Sequence, residues 1–127
     1  MSKNDQPTIP LAAFKNIMVT VTEDDTGQLV PNCPELITCS TRDSLLNFQL
    51  TNQANDLNDY RFEQPTLTGH IDQLGSFTIS KSGKMLTVCN ETTVPGSIYI
   101  TLNVYDALTP ARKGAFDPEV VNQPDGR

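Results

Sequence analysis

The side chains that could bind a transition metal are one histidine and three cysteines, namely His70, Cys33, Cys39 and Cys89. A site of the blue-copper kind needs two imidazoles and a thiolate, usually with a distant methionine. Cys89 and Met85 would supply the sulfur ligands, but the second histidine is missing. The residue types therefore exclude that copper site.

Zinc would accept the same histidine and cysteines as four ligands. However, Cys33 and Cys39 do not form the short Cys-x-x-Cys hook that is typical of structural zinc sites. Lys84 is the nearest base to Cys89 in the sequence, and we interpret Cys89 as a structural thiol that packs like a small apolar side chain. The sequence thus predicts no zinc site and no cofactor.

A hydrolase would need a nucleophile placed against His70. Strand parity puts His70 on the face opposite Leu67 and Ile71, beside Asp72, which indicates a solvated side chain. The chain contains no Gly-x-Ser-x-Gly elbow that would present a nucleophilic serine. We therefore expect a protein that is not an enzyme.

Carboxylates collect in predicted loops, where Asp24 and Asp25 form one pair and Asp56 and Asp59 lie in another loop. Hard oxygen ligands from loops at one end of a domain are the ligands that calcium prefers. The spacing matches no EF-hand loop, and aspartate is common in turns for backbone reasons alone. A module that binds calcium or a small ligand through these four aspartates is the alternative function.

Tyr99 and Tyr105 lie on one side of a predicted strand, with Thr101 and Asn103 between them. Two tyrosines on an open polar sheet face could bind a partner protein, a sugar or another copy of the chain. They could also pack under a neighbouring loop or close a second buried face. Tyr99 and Tyr105 are the predicted partner-binding residues.

The elements that position these side chains are predicted to be strands, because apolar residues recur at every second position. The clearest stripes are Ile17, Val19 and Val21; Leu46, Phe48 and Leu50; and Ile98, Ile100, Leu102 and Val104. Lys81-Ser82-Gly83-Lys84 has the composition of a hairpin turn between two further strands. About seven or eight short strands predict an all-β, two-sheet antiparallel sandwich of the immunoglobulin-like kind. A small barrel is also compatible with the pattern.

The chain has 127 residues, the size of one domain. Residues 1–13 are polar and contain Pro7 and Pro10, so we expect a flexible N-terminal segment followed by a single domain over residues 14–127. Its net charge of −6 opposes nucleic-acid binding, and no apolar run could cross a membrane. The start does not resemble a signal peptide, and an odd cysteine count argues against paired disulfides, so a cytoplasmic location is favoured.

The last part of the chain combines three features. A hairpin after Ser76 precedes the Pro95-Gly96 turn and the strand Ser97–Val104, and the chain closes with Asp117-Pro118-Glu119-Val120-Val121-Asn122-Gln123-Pro124. This pattern resembles the DP-EP family of uncharacterised bacterial proteins. The Asp-Pro pair matches, whereas Gln123-Pro124 stands where the family would have Glu-Pro. The resemblance covers under half the chain and implies a β-sandwich without a known activity.

Physically, the closing segment is predicted to form a short edge strand or tail at Val120 and Val121. Because the chain offers no convincing catalytic group, we expect a non-catalytic interaction or structural module. Such a module would contact another macromolecule through its loops or an exposed sheet face, and self-association is one form of this.

Overall fold

A computed structural model gives the structure of residues 13–124. Within that range the chain forms eleven strands and one short 3₁₀ helix, Ile71–Gln73. The strands are β1 (Ala13–Glu23), β2 (Leu29–Asn32), β3 (Leu36–Cys39), β4 (Ser44–Leu50), β5 (Tyr60–Phe62), β6 (Thr66–Gly69), β7 (Leu74–Ile79), β8 (Met85–Asn90), β9 (Gly96–Asp106), β10 (Thr109–Phe116) and β11 (Glu119–Asn122). The all-β prediction is confirmed, although more strands form than the sequence predicts. The predicted flexible segment lies outside the described residues except for Ala13, which already begins β1.

The strands build two sheets that pack against each other, so the two-sheet sandwich is confirmed. Sheet 1 has the order β2-β1-β4-β8-β7. Sheet 2 is centred on β9, because β5 and β6 pair along one edge of β9 while β10 and β11 pair along the other, and β3 lies beyond β11. The single strand β9 therefore organises the whole second sheet.

The prediction that all strands are antiparallel was wrong, because β1 pairs with β4 and β11 pairs with β3 in parallel. A parallel pair needs a crossover between its strands, and turns alone do not supply one. Here β2 and β3 are inserted between β1 and β4, and most of the chain separates β3 from β11. Both crossovers pass through other strands rather than through an α-helix.

The core is the space between the sheets, and the predicted two-residue stripes fill it. Ile98, Ile100, Leu102 and Val104 of β9 are all 0% exposed. Phe48 at the centre of β4 is equally buried. The stripes of β1 and β4 are buried as predicted. The parity of these strands was therefore assigned correctly from the sequence.

One side of the sandwich is closed by β2 and β10, neither of which the sequence predicts. Pro31 within β2 hides its pattern, since proline is tolerated only at sheet edges. Along β10, Gly114 lies against the carbonyl group of Leu29, where a side chain would collide with the backbone of β2. Glycine at this position lets the two strands approach closely.

The closing strand β11 differs from its prediction as an edge strand. It lies inside sheet 2 between β9 and β3, and Val120 is 0% exposed. The reason is that β3 pairs with β11 from a distant part of the chain, a contact that no local pattern reports.

Substitutions at two neighbouring residues of β9 test which face of this strand is buried. Replacing Leu102 by alanine should lower the free energy of unfolding by about 3 kcal/mol, because it opens a cavity at a fully buried position. Replacing Thr101 by alanine should lower the free energy of unfolding by less than about 1 kcal/mol, because this residue is half-buried on the outer face. Urea unfolding measures both values, and equal losses would contradict the assigned parity.

Candidate functional site

The outer face of sheet 1 carries two rows of apolar side chains. In one row Phe14 lies beside Leu45, and Leu45 lies beside Cys89. In the second row Gln49 lies between Met18 and Met85. We call these five apolar residues, Phe14, Met18, Leu45, Met85 and Cys89, the apolar face. The rows are four residues apart along their strands, which is about 13 Å.

The apolar face is open to solvent. Phe14 is 63% exposed, Met18 is 49% exposed and Met85 is 40% exposed. Sheet 1 packs on the core through its inner side alone, and the outer side of such a sheet normally carries polar residues. Exposed apolar side chains that are grouped on one face often mark an interaction surface.

A polar row separates the two apolar rows and holds the three central strands in register. The Asn47 side chain donates to Asn16 Oδ1 at 2.9 Å, and Thr87 Oγ1 donates to Asn47 Oδ1 at 2.9 Å. Asn47 is only 7% exposed, so this row is a fixed part of the sheet. The backbone that carries the apolar face is therefore held in a fixed register.

A cavity of about 390 Å³ adjoins the first row. It is lined by Asp43, Ser44, Leu45, Gly75, Ser76, Cys89, Asn90 and Glu91. It forms where the pairing of β7 with β8 is irregular, because two residues separate Leu74 from Phe77 while only one separates their partners on β8. Such bulges are frequent next to functional sites. Gly75 faces the Cys89 side chain across this irregularity and leaves the space open.

Two strained residues flank the cavity. Asp43 has φ 54° and Thr92 has φ 53°, and among the non-glycine residues in the described range no others have positive φ. This conformation is unusual for a β-branched residue such as Thr92. The Asp43 amide donates to the Glu91 carbonyl at 2.9 Å, which holds the two loops together. Strain of this kind persists only where the surrounding structure imposes it.

At the cavity wall, the lining residue Asn90 and a second buried asparagine join the two sheets. Asn90 of β8 donates to Asn122 Oδ1 at 2.8 Å, and Asn122 of β11 donates to Asn90 Oδ1 at 3.1 Å. Asn90 Oδ1 also accepts from the Thr92 amide at 3.3 Å. Both asparagines are 1% exposed. The pair thus fixes the strained segment relative to the opposite sheet.

The three cysteines are unpaired, and their environments differ. Cys89 is exposed on the apolar face, so its interpretation as a buried structural thiol was wrong. That role belongs to Cys39, which is 0% exposed and whose thiol pKa is raised by burial. Burial also raises the pKa of the half-buried Cys33 thiol from 9.0 to about 11.

These environments predict stepwise thiol chemistry in the native protein. An aromatic disulfide reagent at pH 8 should modify Cys89 rapidly, because its thiol is exposed. Cys33 should react at least about a hundredfold more slowly, since a pKa of about 11 leaves little thiolate. Cys39 should react only after unfolding. Absorbance and peptide mass measure the steps, and a rapid phase that survives in Cys89→Ser would contradict the assignment.

The predicted tyrosines lie on the outer face of sheet 2. Tyr99 is 38% exposed and Tyr105 is half-buried, so the predicted parity is correct. They are six residues apart, which is about 20 Å along the strand. Tyr105 lies between Arg61 and Lys113 in its row. This face is polar and charged, and the partner-binding role of Tyr99 and Tyr105 stays a prediction.

Two of the four aspartates of the calcium hypothesis, Asp24 and Asp59, have other roles. Asp24 Oδ1 accepts hydrogen bonds from the Thr26 amide and hydroxyl and from the Gln28 amide, which closes the turn after β1 and lowers the Asp24 pKa. Asp25 and Asp56 are exposed in loops. Between residues 13 and 124 no three histidine, cysteine or acidic side chains are grouped to hold a metal ion. The calcium hypothesis gains no support from this arrangement and stays a prediction.

Asp59 is held by bases rather than by a metal. Its carboxylate pairs with Arg61 at 2.7 Å and with Lys84 at 2.9 Å. These partners, Arg61 foremost, hold the pKa of Asp59 below its usual value. Its amide donates to Asp106 Oδ1 at 2.9 Å, and the buried Asp106 carboxylate also pairs with Arg112 at 3.0 Å. This network stabilises the end of the sandwich opposite the cavity.

The lowered pKa of Asp59 makes stability depend on pH. A carboxylate whose pKa is lower in the folded protein than in the unfolded chain stabilises the fold at pH values above its pKa in the unfolded chain. This contribution to the free energy of unfolding is lost as the pH falls through its pKa in the folded protein. Asp59→Asn should therefore lower the free energy of unfolding by about 1 kcal/mol at pH 7. The difference from the unmodified protein should shrink below about pH 4. Urea titrations at several pH values measure it, with the exposed Asp56→Asn as the control. A difference that stays constant as the pH falls from 7 towards 2 would contradict the ion-pair assignment.

His70 is exposed, as predicted, and its imidazole packs over Gly96, where a side chain would collide with the ring. Its amide donates to the Ser97 carbonyl at 3.0 Å. His70 therefore has a structural role, because it packs at the corner where the chain passes from β6 towards β7.

The apolar face was not predicted from the sequence, although a signal was present. Phe14 and Met18 lie one position out of phase with the buried stripe of β1, and Leu45 is out of phase with Leu46. Apolar residues at strand positions that should face solvent indicate a functional surface.

Comparison with known proteins finds distant likenesses among solved structures. No family model matches the chain, and no curated protein matches it. A cysteine protease inhibitor from Entamoeba histolytica superposes with a TM-score of 0.42 at 16% identity, over 88% of this chain and 97% of the inhibitor. No helix among the described residues is long and apolar enough to cross a membrane. The resemblance to the DP-EP family stays a prediction.

Proposed function

We propose that this protein is a non-catalytic binding module whose apolar face docks another protein. The observation that carries the proposal is the exposure of Phe14, Met18 and Met85 on one sheet face. Aromatic residues and methionine are enriched at the centres of protein interfaces. Methionine is also adaptable, so it fits partner surfaces of irregular shape.

The occupant we propose is a different protein with a basic rim around an apolar contact. The chain carries a net charge of −6, and like charges in two copies would oppose their association. A basic partner would instead be attracted to the domain and oriented towards it. The polar row of Asn16, Asn47 and Thr87 supports this function, because a strand backbone that is already ordered loses little entropy on binding.

Selection of peptides from a display library against the immobilised protein tests the proposal. The selected peptides should bind Met18→Ser plus Met85→Ser at least about tenfold more weakly, because both contacts are lost. The matched variant is Tyr99→Ser plus Tyr105→Ser on the opposite face, and it should bind within about twofold of the unmodified protein.

Other outcomes overturn the proposal in distinguishable ways. Peptides that are sensitive only to the tyrosine variant would move the binding site to sheet 2. A dimer in light scattering that the methionine variant dissociates would make a second copy the occupant. A selection that yields no peptide would leave the apolar face without a binding role.

A further inference from the structure

We propose that the cavity beside Cys89 receives a lysine or arginine side chain of the docked protein. This inference rests on the proposed function and names what the partner must present. The cavity of about 390 Å³ adjoins the apolar face through Leu45 and Cys89, which belong to both. A partner that covers the first apolar row would therefore also cover the mouth of the cavity.

The volume of the cavity selects the kind of ligand. Sites for drug-sized molecules and cofactors extend from about 300 to 1,000 Å³, so this cavity lies near the lower limit. It has room for one long side chain with its hydration, and a large cofactor would not fit. A side chain is also the natural ligand of a recess that opens beside a docking surface.

The lining selects the chemistry of that side chain. Leu45, Gly75 and the Cys89 side chain form an apolar part, while Asp43 and Glu91 are the charged residues of the lining. Arg42, although next to Asp43 in the chain, does not line the cavity. Lysine and arginine combine an apolar stem with a cationic end, which matches a recess that is apolar on one part and acidic on another.

Hydrogen bonds hold the backbone that carries the two acidic residues in place. The hydrogen bond from the Asp43 amide to the Glu91 carbonyl joins the two loops that carry these carboxylates. Thr92, next to Glu91, is fully buried and bonded to Asn90. Carboxylates on fixed loops bind a cation without ordering the loops first.

The inference is tested with n-butylammonium, which reproduces the stem and charge of lysine, and with n-butanol as its neutral analogue. Two-dimensional amide NMR should show saturable shifts at Leu45, Gly75 and Glu91, with a Kd of about 10 mM for so small a probe. The neutral analogue should bind at least about fivefold more weakly. Added salt should weaken the binding of n-butylammonium but not that of n-butanol.

Two variants separate charge recognition from the general acidity of the chain. Asp43→Asn plus Glu91→Gln should weaken n-butylammonium binding about tenfold. Asp25→Asn plus Asp56→Asn removes the same charge from distant exposed loops and should leave the affinity within about twofold. Gly75→Leu should abolish binding by filling the recess, since the added side chain would point towards Cys89 without a backbone collision.

Equal binding of both probes, equal effects of the two charge variants, or shifts at other residues would overturn the inference. These results are independent of the peptide selection. Peptides that need Met18 and Met85 but no basic residue would sustain the docking function while refuting the cationic site.

Discussion

The strand β9 is the constraint on which this structure depends, because it pairs with four other strands and presents two chemically different faces. Its inner stripe is completely buried against sheet 1, and its outer stripe carries tyrosine, threonine and asparagine. A shift of one residue in register would exchange the two stripes and place four large aliphatic side chains in water. Each buried aliphatic side chain contributes about 1.5 to 3 kcal/mol, so the shifted register is strongly disfavoured.

Hydrophobic burial alone does not fix how the two sheets face each other, and the pair of Asn90 and Asn122 adds that specificity. Two amides with matched hydrogen bonds are satisfied only when β8 and β11 meet at this one position. A slide of the sheets would leave both amides buried without partners, which costs about 1 to 3 kcal/mol for each group. The same pair holds the segment that contains Thr92, so the sheet contact and the shape of the cavity wall have a common cause.

The sequence predicts what depends on local periodicity and fails where distant contacts decide. The stripes of β1, β4 and β9 are visible because burial on one side enforces alternation. In contrast, β10 shows no apolar alternation, since it is an edge strand whose side chains are largely exposed. The parallel partner of β11 is separated from it by most of the chain, so nothing local distinguishes an inner strand from an edge strand there.

The candidate site illustrates the same limit. Asp43, Glu91 and Gly75 belong to three separate segments that only the paired strands bring together, and their spacing in the sequence matches no motif. The apolar residues of the face were detectable in principle, because Phe14, Met18 and Leu45 violate the expected polarity of their positions. Prediction instead favoured the tyrosines, which are more typical of interfaces in their composition. On a sandwich, however, both outer faces have the correct parity for binding, so composition alone could not choose between them.

A binding role is consistent with how the chain distributes its irregular features. The network of Asp59, Asp106 and Arg112 stabilises one end of the sandwich with paired charges, and the buried asparagines stabilise the other. Strained backbone, the β7 irregularity and the exposed thiol instead meet at one margin of the apolar face. Stability alone does not require any of these three features, and each has a cost in free energy or in resistance to oxidation. Their coincidence beside an open apolar surface is what the proposed docking function predicts.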